Sequence, residues 1–350
     1  YDFLEKPLSI DKVTFIMQRG LQYKKVLEEN RKLRYLLSEN EAMNQGAQKM
    51  IKKDSTGRIE FEVGDTQYSR KQKTVKVGNI FYGIGLHSGV KTGMAIKPLP
   101  EGKGIRFENI TENGYVPARV EYIESTNYAT SIRKDEIEAK TIEHFMATLH
   151  AFGITNIAIK INKEVPTGDG SASKFCEFIQ KAGVVDQNEY IPEIVISKSL
   201  IIGNVKGGDK FIRVDPHDFF SVHYTAEFPE PLGKMNFEFN LRSSEDFEKE
   251  IAPARTFGFV EDINKMSEMG LAEGGRINNF ILIDKGRVLN TKLRFNDELV
   301  RHKILDIMGD FYLLGRPIRG KVTAYKTGHF DNIQMVNLIK ETFLDKQSPQ

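Results

Sequence analysis

Two segments of this chain each place a histidine at a matching position in a helix-forming run that lies among short strands. The first is Thr141-Ile-Glu-His144-Phe-Met and the second is Leu299-Val-Arg-His302-Lys-Ile. Alternating apolar residues predict strands in both parts, over residues 157–161 in the first and over residues 211–214 and 220–225 in the second. The repetition predicts an internal duplication, with α+β layers in each half.

Three zones of the chain differ in their residue types. Residues 1–45 favour helix after a short opening strand, and residues 46–70 are polar and irregular and predict a linker. Short strands, tight turns and a few marked helices follow. A turn-rich break at residues 187–192 predicts one domain over residues 71–188 and another over residues 189–345.

An apolar seam runs along the predicted N-terminal helix. Its members alternate spacings of three and four residues, with asparagine at one core position: Tyr23, Val26, Asn30, Leu33 and Leu37. This pattern favours two-stranded pairing and therefore dimerisation. A solvated surface helix explains so short a seam equally well, so both interpretations stay open.

The composition restricts partners and location. A formal net charge of +2 gives no electrostatic reason to expect nucleic acid as a partner. No apolar run approaches the roughly 20 residues that a membrane span needs, and no signal-peptide pattern leads the chain. The single cysteine, Cys176, excludes an intramolecular disulfide and fits a reducing location, so we expect a cytoplasmic protein.

The second histidine helix, predicted over residues 300–314, has two different faces. Its apolar residues share one side, whereas His302, Asp306 and Gly309 share the other, with Asp310 at the edge. A histidine and an aspartate at positions i and i+4 lie one turn apart and can converge on one ion. Gly309 leaves room for a close approach to the backbone. A solvated polar face is the alternative interpretation of this stripe.

The first histidine helix strengthens the metal interpretation. His144 points away from the apolar stripe of its helix, and Glu143 directly precedes it. Two histidines and one carboxylate form a catalytic zinc set that leaves a fourth position for water. The pattern therefore predicts a Zn²⁺ site of His144, His302 and Asp306 in a cleft between the halves, with Glu143 as the base.

The other histidines differ in their surroundings. His329 follows a strand predicted over residues 322–325, in a loop position that suits a general acid. His87 lies in the tight turn of residues 85–89, where contact with a ligand and capping of the turn are equally good interpretations. The remaining three show no partner pattern and are expected to be structural or surface residues: His150, His217 and His223.

Two further patterns point to other chemistry. Ser171-Ala-Ser-Lys174 followed by Lys326-Thr-Gly328 is similar to the motifs of penicillin-binding serine acyltransferases, but the Ser-Asp-Asn element between them is absent. The glycines of residues 83–89 have a GxGxxxG spacing with no clear helix after them, which argues against a dinucleotide loop.

Read together, the motifs resemble one family over residues 70–344. The blocks that carry the resemblance are Gly85-Leu-His-Ser-Gly89, Thr141-Ile-Glu-His144, Pro166-Thr-Gly-Asp-Gly-Ser171, Ala254-Arg-Thr-Phe-Gly258, Val300-Arg-His-Lys-Ile-Leu-Asp306 and Lys326-Thr-Gly-His329. They resemble the UDP-3-O-acyl-N-acetylglucosamine deacetylases of lipid A biosynthesis in Gram-negative bacteria. The resemblance implies two α/β sandwich domains of similar topology with the active site between them.

The resemblance also implies roles for single residues. His144, His302 and Asp306 match the zinc ligands and Glu143 the general base, while His329 matches a cationic general acid. A second group has supporting roles. By the resemblance, Asp310 is expected to orient the acid and Thr256 to help stabilise the oxyanion. The residues expected to bind the substrate are Lys303, Lys210, Phe257, His87 and Leu86.

The segment of residues 261–287 matches an insert that forms a passage for the acyl chain. Its apolar residues suit that role: Ile263, Met266, Met269, Leu271, Phe280, Ile281 and Leu282. At Thr167-Gly168 and Asn127-Tyr128-Ala129 the sequence departs from the residues expected in the family. These departures leave the preferred length of the acyl chain open, but not the chemistry. A deacetylase of another acetylated sugar and a silent ligand-binding signalling module are the alternative functions.

The N-terminal zone carries a second resemblance. Tyr1-Asp-Phe-Leu-Glu-Lys-Pro7 and the helix after it resemble the last strand and helix of a response-regulator receiver domain, and Lys6 matches its phosphate-sensing lysine. Glu28-Glu-Asn-Arg-Lys-Leu33 is similar to the helical connector of sigma-54-activator regulators. The resemblance implies a receiver remnant over residues 1–45, without the phosphoacceptor aspartate. A natural fusion, a fragment and the joining of adjacent genes all remain open.

Overall fold

The computed structural model of the protein describes residues 68–111, 113–205, 210–276 and 278–345. The predictions for the receiver remnant, the apolar seam and most of the linker lie outside the described residues. The described residues belong to one compact unit. Its first strand begins at Ser69, so the last two residues of the predicted linker are part of a sheet.

Strands dominate the described chain. In chain order they are β1 (Ser69–Val75), β2 (Asn79–Ile84), β3 (Lys91–Pro98), β4 (Ile105–Asn109), β5 (Tyr115–Pro117), β6 (Ile123–Ser125), β7 (Ser131–Lys134), β8 (Ile137–Ala139), β9 (Ile157–Ile161), β10 (Val184–Pro192), β11 (Ile194–Val195), β12 (Leu200–Gly203), β13 (Phe211–Asp215), β14 (Phe220–Glu227), β15 (Lys234–Asn240), β16 (Phe257–Phe259), β17 (Ile281–Asp284), β18 (Arg287–Val288) and β19 (Ile318–Tyr325).

The helices lie between these strands. They are α1 (Glu143–Phe152), α2 (Ser173–Ala182), α3 (Ser244–Glu250), α4 (Val260–Glu268), α5 (Glu298–Phe311) and α6 (His329–Phe343), with short 3-10 turns at Val120–Tyr122 and Tyr312–Leu314. Within the described ranges, no helix is long and apolar enough to cross a membrane.

Two large sheets repeat one strand order. The first has the order β2-β3-β9-β4-β5, and the second has the order β12-β13-β19-β14-β15, with β11 pairing alongside β19. In each of these five-strand orders the strand that comes last in the chain lies between the second and third strands. It is antiparallel to the second strand and parallel to the third, and in the second sheet β19 is also parallel to β11. A helix precedes this central strand and another follows it in both halves. The α+β class and the similar topology of the halves are thus confirmed.

Alternation of apolar residues explains why the two central strands form where they do. In β19 every second residue is buried along the whole strand. In β9 the three isoleucines Ile157, Ile159 and Ile161 are buried on one face, while on the other face Ala158 is buried as well and Lys160 is half-buried. Period-two burial is the pattern expected for strands that face a core on one side. The prediction of strands at residues 157–161, 211–214 and 220–225 is confirmed by β9, β13 and β14.

The predicted turn-rich break at residues 187–192 is wrong. These residues form the second part of β10, which pairs antiparallel with β1. Most of β10 is exposed or half-buried, so no apolar face marks it as a strand in the sequence. The pairing with β1 satisfies its backbone groups instead, and the resulting two-stranded ribbon leads from the first large sheet to the second.

The two histidine helices pack directly against each other. α5 is buried on nearly every side, including the stripe that carries His302 and Asp306, because α1 covers that stripe. Gly309 is the point of closest approach: a Cβ atom there would lie 2.0 Å from the carbonyl oxygen of Glu143. Only glycine therefore permits this approach of the two backbones. The contact brings one half of the predicted metal set onto the other.

Candidate metal centre and active site

Three side chains of metal-ligating type meet where α1 and α5 cross. One ligand atom from each of His144, His302 and Asp306 lies within 4.8 Å of the other two. The Asp306 Oδ1 atom is 3.7 Å from Nε2 of His144 and 3.5 Å from Nε2 of His302. All three side chains are buried, so this cluster is not a solvated face.

The donor set fits a divalent cation. Asp306 Oδ1 is buried and has no hydrogen-bond partner among the described residues, which is costly unless a ligand completes it. The ring of His302 lies with Nδ1 at 3.2 Å from the carbonyl oxygen of Ala254, which directs Nε2 towards the cluster. Burial lowers the pKa of His302 to about 3, against the opposing effect of Asp306, so the imidazole is the neutral form that binds metals.

Lysine charge stabilises the aspartate of this cluster. Burial alone would raise the pKa of Asp306, but Lys303, whose Nζ lies 2.6 Å from Oδ2, and the cationic His329 hold that pKa well below its usual range. The same pairing outweighs burial at Lys303 and raises the pKa of its ammonium group. Asp306 is therefore ionised and ready to bind a cation.

Glu143 lies at the start of α1, beside the metal set. Its side chain is 3% exposed, and its Oε2 accepts a hydrogen bond of 3.0 Å from the backbone N–H of Thr130. Burial raises the pKa of the Glu143 carboxyl, and the positive charge of His329 offsets only part of that rise. A carboxyl with a raised pKa suits proton transfer near neutral pH.

His329, the first residue of α6, lies across the cluster with its ring held by a network. Its Nδ1 is 2.8 Å from Asp310 Oδ2 and 3.1 Å from the hydroxyl of Thr130, while Nε2 lies 3.9 Å from Asp306 Oδ2. Burial would lower the pKa of His329, but the charges of Asp310 and Asp306 outweigh it and raise the pKa to about 9. The imidazole is therefore cationic at neutral pH, with Nε2 towards the cluster.

One cavity of about 450 Å³ opens onto these groups. Lys303, Thr256 and Phe257 line it together with the metal set, Glu143 and His329. Lys210 also lines it, and its Nζ is held 2.9 Å from Asp331 Oδ1 at the start of α6. The structure thus brings into one cavity residues that are predicted to be catalytic, to bind metal or to bind substrate.

A second, mainly apolar cavity of about 320 Å³ adjoins the first. Leu86, Thr256 and Phe257 line both cavities. From the predicted insert, only Ile263, Met266 and Phe280 of the seven apolar residues named above line it. Ile281 is instead buried in β17, and Met269 is 56% exposed. The periodicity of α4 and the pairing of β17 decide which of these side chains turn inwards.

His87 lines the apolar cavity rather than capping its own turn. Its backbone N–H donates to Glu164 Oε1 at 2.8 Å, but neither ring nitrogen has a hydrogen-bond partner among the described residues. Burial lowers the pKa of His87, so the ring is neutral at neutral pH. Of the two interpretations, contact with a ligand therefore agrees better with its position.

The serine and lysine of the acyltransferase-like pattern do not come together in the structure. Ser171 bonds to Asp169 Oδ1, whereas Lys174 Nζ bonds to Glu177, so serine and lysine have different partners.

His150 stacks on Tyr312 with ring centroids 4.5 Å apart, and its Nδ1 lies 3.0 Å from Met308 O, which makes it structural as expected.

Several supporting residues were missed by sequence reasoning. Thr130 contacts both Glu143 and Asp310, and Asn332 donates to Asp310. The buried pair of Arg255 and Glu298 fixes the backbone beside Ala254. Arg255 follows Ala254 in a block that had already been singled out, which was a usable signal. No local pattern marks Thr130, because its partners come from distant parts of the chain.

The chain also resembles known proteins over the part that forms this site. A family model described as "LpxC: UDP-3-O-acyl N-acetylglycosamine deacetylase" matches residues 72–341. A Myxococcus xanthus protein named UDP-3-O-acyl-N-acetylglucosamine deacetylase is 40% identical over 276 residues, 77% of this chain and 87% of that protein. Proteins of the same name from Nitratiruptor sp. and Helicobacter pylori J99 are 38% and 36% identical, over 77% of this chain and 91% of each relative. This chain belongs to the UDP-3-O-acyl-N-acetylglucosamine deacetylase family.

Proposed function

We propose that this protein hydrolyses the N-acetyl group of UDP-3-O-acyl-N-acetylglucosamine to give acetate and the free amine, a step of lipid A biosynthesis, and that it uses Zn²⁺. The observation that carries the proposal is the buried set of His144, His302 and Asp306, with Glu143 and His329 in the same cavity. An amide hydrolase needs a base for water and an acid for the departing amine, and this arrangement offers both.

The metal set would hold Zn²⁺ through the nitrogens of His144 and His302 and the carboxylate of Asp306. When bound, Zn²⁺ polarises a carbonyl and lowers the pKa of water. The Ala254 carbonyl orients His302 for this, and Lys303 keeps Asp306 ionised. The orphaned Oδ1 of Asp306 supports the assignment of a cation to this place.

In the proposed reaction Glu143 accepts a proton from the attacking water while the water oxygen adds to the carbonyl carbon of the acetamide. Burial, which raises the pKa of Glu143, makes it a stronger base than an exposed carboxylate. His329 gives the proton at Nε2 to the amine nitrogen as the C–N bond breaks. Asp310 holds the opposite nitrogen of that ring at 2.8 Å, which fixes its orientation. Thr256 lines the same cavity, and we assign to it the stabilisation of the oxyanion.

We assign the other parts of the substrate to the two cavities. Lys303 and Lys210 offer positive charge for a nucleotide diphosphate in the larger cavity. Leu86, His87 and Phe257 line the apolar cavity, which suits the acyl chain. A 71–188 domain and a 189–345 domain would each contribute one histidine helix. The cytoplasmic location and pairing through the N-terminal seam also remain proposals, the first supported by the single cysteine.

The test is a mass-spectrometric assay for loss of acetyl from UDP-3-O-acyl-N-acetylglucosamine, with and without a chelator. We expect stoichiometric zinc, activity that the chelator removes, and recovery when Zn²⁺ is added. Glu143→Gln should keep zinc and lose roughly 10²- to 10⁴-fold in turnover, the usual contribution of a general base.

Three outcomes would contradict the proposal. Protein without stoichiometric zinc, or full activity in His144→Ala, removes the metal assignment. Deacetylation of a different acetylated sugar, with none of this substrate, points to that sugar instead. Tight binding of the substrate without turnover indicates a silent ligand-binding module.

A further inference from the structure

Thr130 is a buried threonine that contacts both sides of the proposed proton-transfer machinery. It directly precedes β7 and is 0% exposed, and it does not line either cavity. Its backbone N–H donates to Glu143 Oε2 at 3.0 Å, and its hydroxyl donates to Asp310 Oδ1 at 2.6 Å. One residue therefore bonds to the proposed base and to the carboxylate that holds the proposed acid.

The direction of the hydroxyl bond follows from the groups around it. Asp310 is an acceptor, so the single hydroxyl proton of Thr130 is used at Oδ1. The ring of His329 then has its Nδ1–H between two acceptors, Asp310 Oδ2 at 2.8 Å and Thr130 Oγ1 at 3.1 Å. Asn332 also donates to Asp310 Oδ2 at 2.9 Å. The carboxylate is thus held from both sides, and the imidazole cannot tilt without losing a bond.

Thr130 is also tied to the start of the first histidine helix. Its carbonyl oxygen accepts from the N–H of Ile142, the residue before Glu143. The N–H and the carbonyl of one residue thus both hold this helix start, while the hydroxyl reaches α5, 180 positions along the chain. A displacement on one side is transmitted to the other through a single rigid residue. β-Branched threonine has few side-chain conformations, which favours such a role.

We infer that Thr130 is a positioning residue that sets the location of Glu143 relative to His329, and that its hydroxyl is the group required. This inference rests on the proposed roles of Glu143 and His329. Thr130 acts through these two residues and has no contact with substrate of its own. The alternative is a structural role, in which the hydroxyl only satisfies the buried carboxylate of Asp310.

The central variant is Thr130→Val, which removes the hydroxyl but keeps the shape and the N–H. We expect kcat to fall roughly 10- to 100-fold, the range for a lost hydrogen bond to a charged group. KM and zinc content should stay unchanged, because neither substrate nor metal touches Thr130. Thr130→Ser keeps the hydroxyl and should restore kcat to within a few-fold of the original.

A spectroscopic readout complements the rates. In protein with ¹⁵N-labelled histidine, the Nδ1–H proton of His329 should give a low-field resonance, since it is held by Asp310 and Thr130. Thr130→Val should shift or broaden this resonance, and Thr130→Ser should leave it in place. The measurement needs no substrate, so it does not depend on turnover.

Thr74→Val is the matched control. Thr74 is also a buried threonine, and its hydroxyl bonds to the backbone of Asn156, away from both cavities. The Thr74→Val variant should lose stability to a degree similar to that of Thr130→Val while keeping the original kcat. Thr130→Ala is a second variant in case valine does not fold. If neither Thr130→Val nor Thr130→Ala folds while Thr74→Val does, the residue is structural and the inference is wrong.

The remaining outcomes separate this inference from the proposed function. If Glu143→Gln and His329→Gln keep full activity, the proposed roles fail and the inference fails with them. If those two variants lose activity but Thr130→Val keeps the original kcat, only the inference is overturned. Loss of zinc in Thr130→Val, or failure of Thr130→Ser to restore kcat, also overturns it.

Discussion

Replacing Gly309 by alanine tests whether the contact of α1 with α5 sets the metal site. A Cβ atom at this position would lie 2.0 Å from the carbonyl oxygen of Glu143, whereas ordinary contact begins at 3.4 Å. The atoms that obstruct it are backbone atoms of Glu143, so no side chain can rotate away. The two helices must therefore separate by about 1.4 Å, the difference between these distances.

That separation acts directly on metal binding, because His144 lies on α1 while His302 and Asp306 lie on α5. Metal–ligand distances tolerate only about 0.2 Å of error. We expect zinc affinity to fall about 10- to 100-fold, the cost of losing one contact that supports a metal ligand. The free energy of unfolding should drop by about 1 to 3 kcal/mol, the usual effect of overpacking.

The affinity is measured by competition with a chromogenic chelator, and stability by urea unfolding of the metal-free protein. Gly93→Ala is the control, since the atom nearest to its Cβ would be in the ring of Tyr82 at 3.3 Å, and the nearest backbone atom, the carbonyl oxygen of Phe81, lies at an ordinary 3.7 Å. Helix propensity alone predicts the opposite sign, because alanine is about 1 kcal/mol more favourable than glycine inside a helix. Wild-type zinc affinity in Gly309→Ala would refute the idea that this contact sets the site.

Three further predictions concern charge. The cationic form of His329 is present below its pKa and is lost as pH rises through about 9, so kcat/KM should fall at alkaline pH. Bound Zn²⁺ would offset the charge of Asp306, lower the pKa of His329 and so move this alkaline limb of the pH profile to lower pH. If the alkaline limb is unchanged in His329→Gln, His329 is not the general acid. Arg255→Met leaves Glu298 buried without its partner, which should cost about 3 to 5 kcal/mol in urea unfolding and weaken zinc binding; a stable variant with unchanged affinity contradicts this. Burial lowers the pKa of His150 from 6.5 to about 4. The free energy of unfolding should therefore be at its full value above pH 6.5 and decrease by about 3 kcal/mol as pH falls towards 4. The free energy of unfolding of His150→Phe should not decrease in this way. An identical pH dependence in the variant and the wild-type protein would contradict this role of His150.

Local periodicity was enough for much of the fold. The alternation in β9 and β19 and the apolar stripes of α1 and α5 predict these elements, because each depends on residues only a few positions apart. Where that signal was absent, the prediction failed. β10 has polar side chains on both faces, so its strand conformation depends on β1, more than 100 residues earlier in the chain.

The sequence by itself determined the chemical types at the site and one local fact, that His302 and Asp306 lie one helical turn apart. The tertiary structure decided how these residues are used. Contact with α1 at Gly309 turns a polar stripe into a buried metal set, and Asp310 holds His329 as a cation. Thr130 joins the two sides across 180 positions of the chain. Such pairings leave no trace in local periodicity, because the backbone pattern around each partner is the same whether or not the other is present.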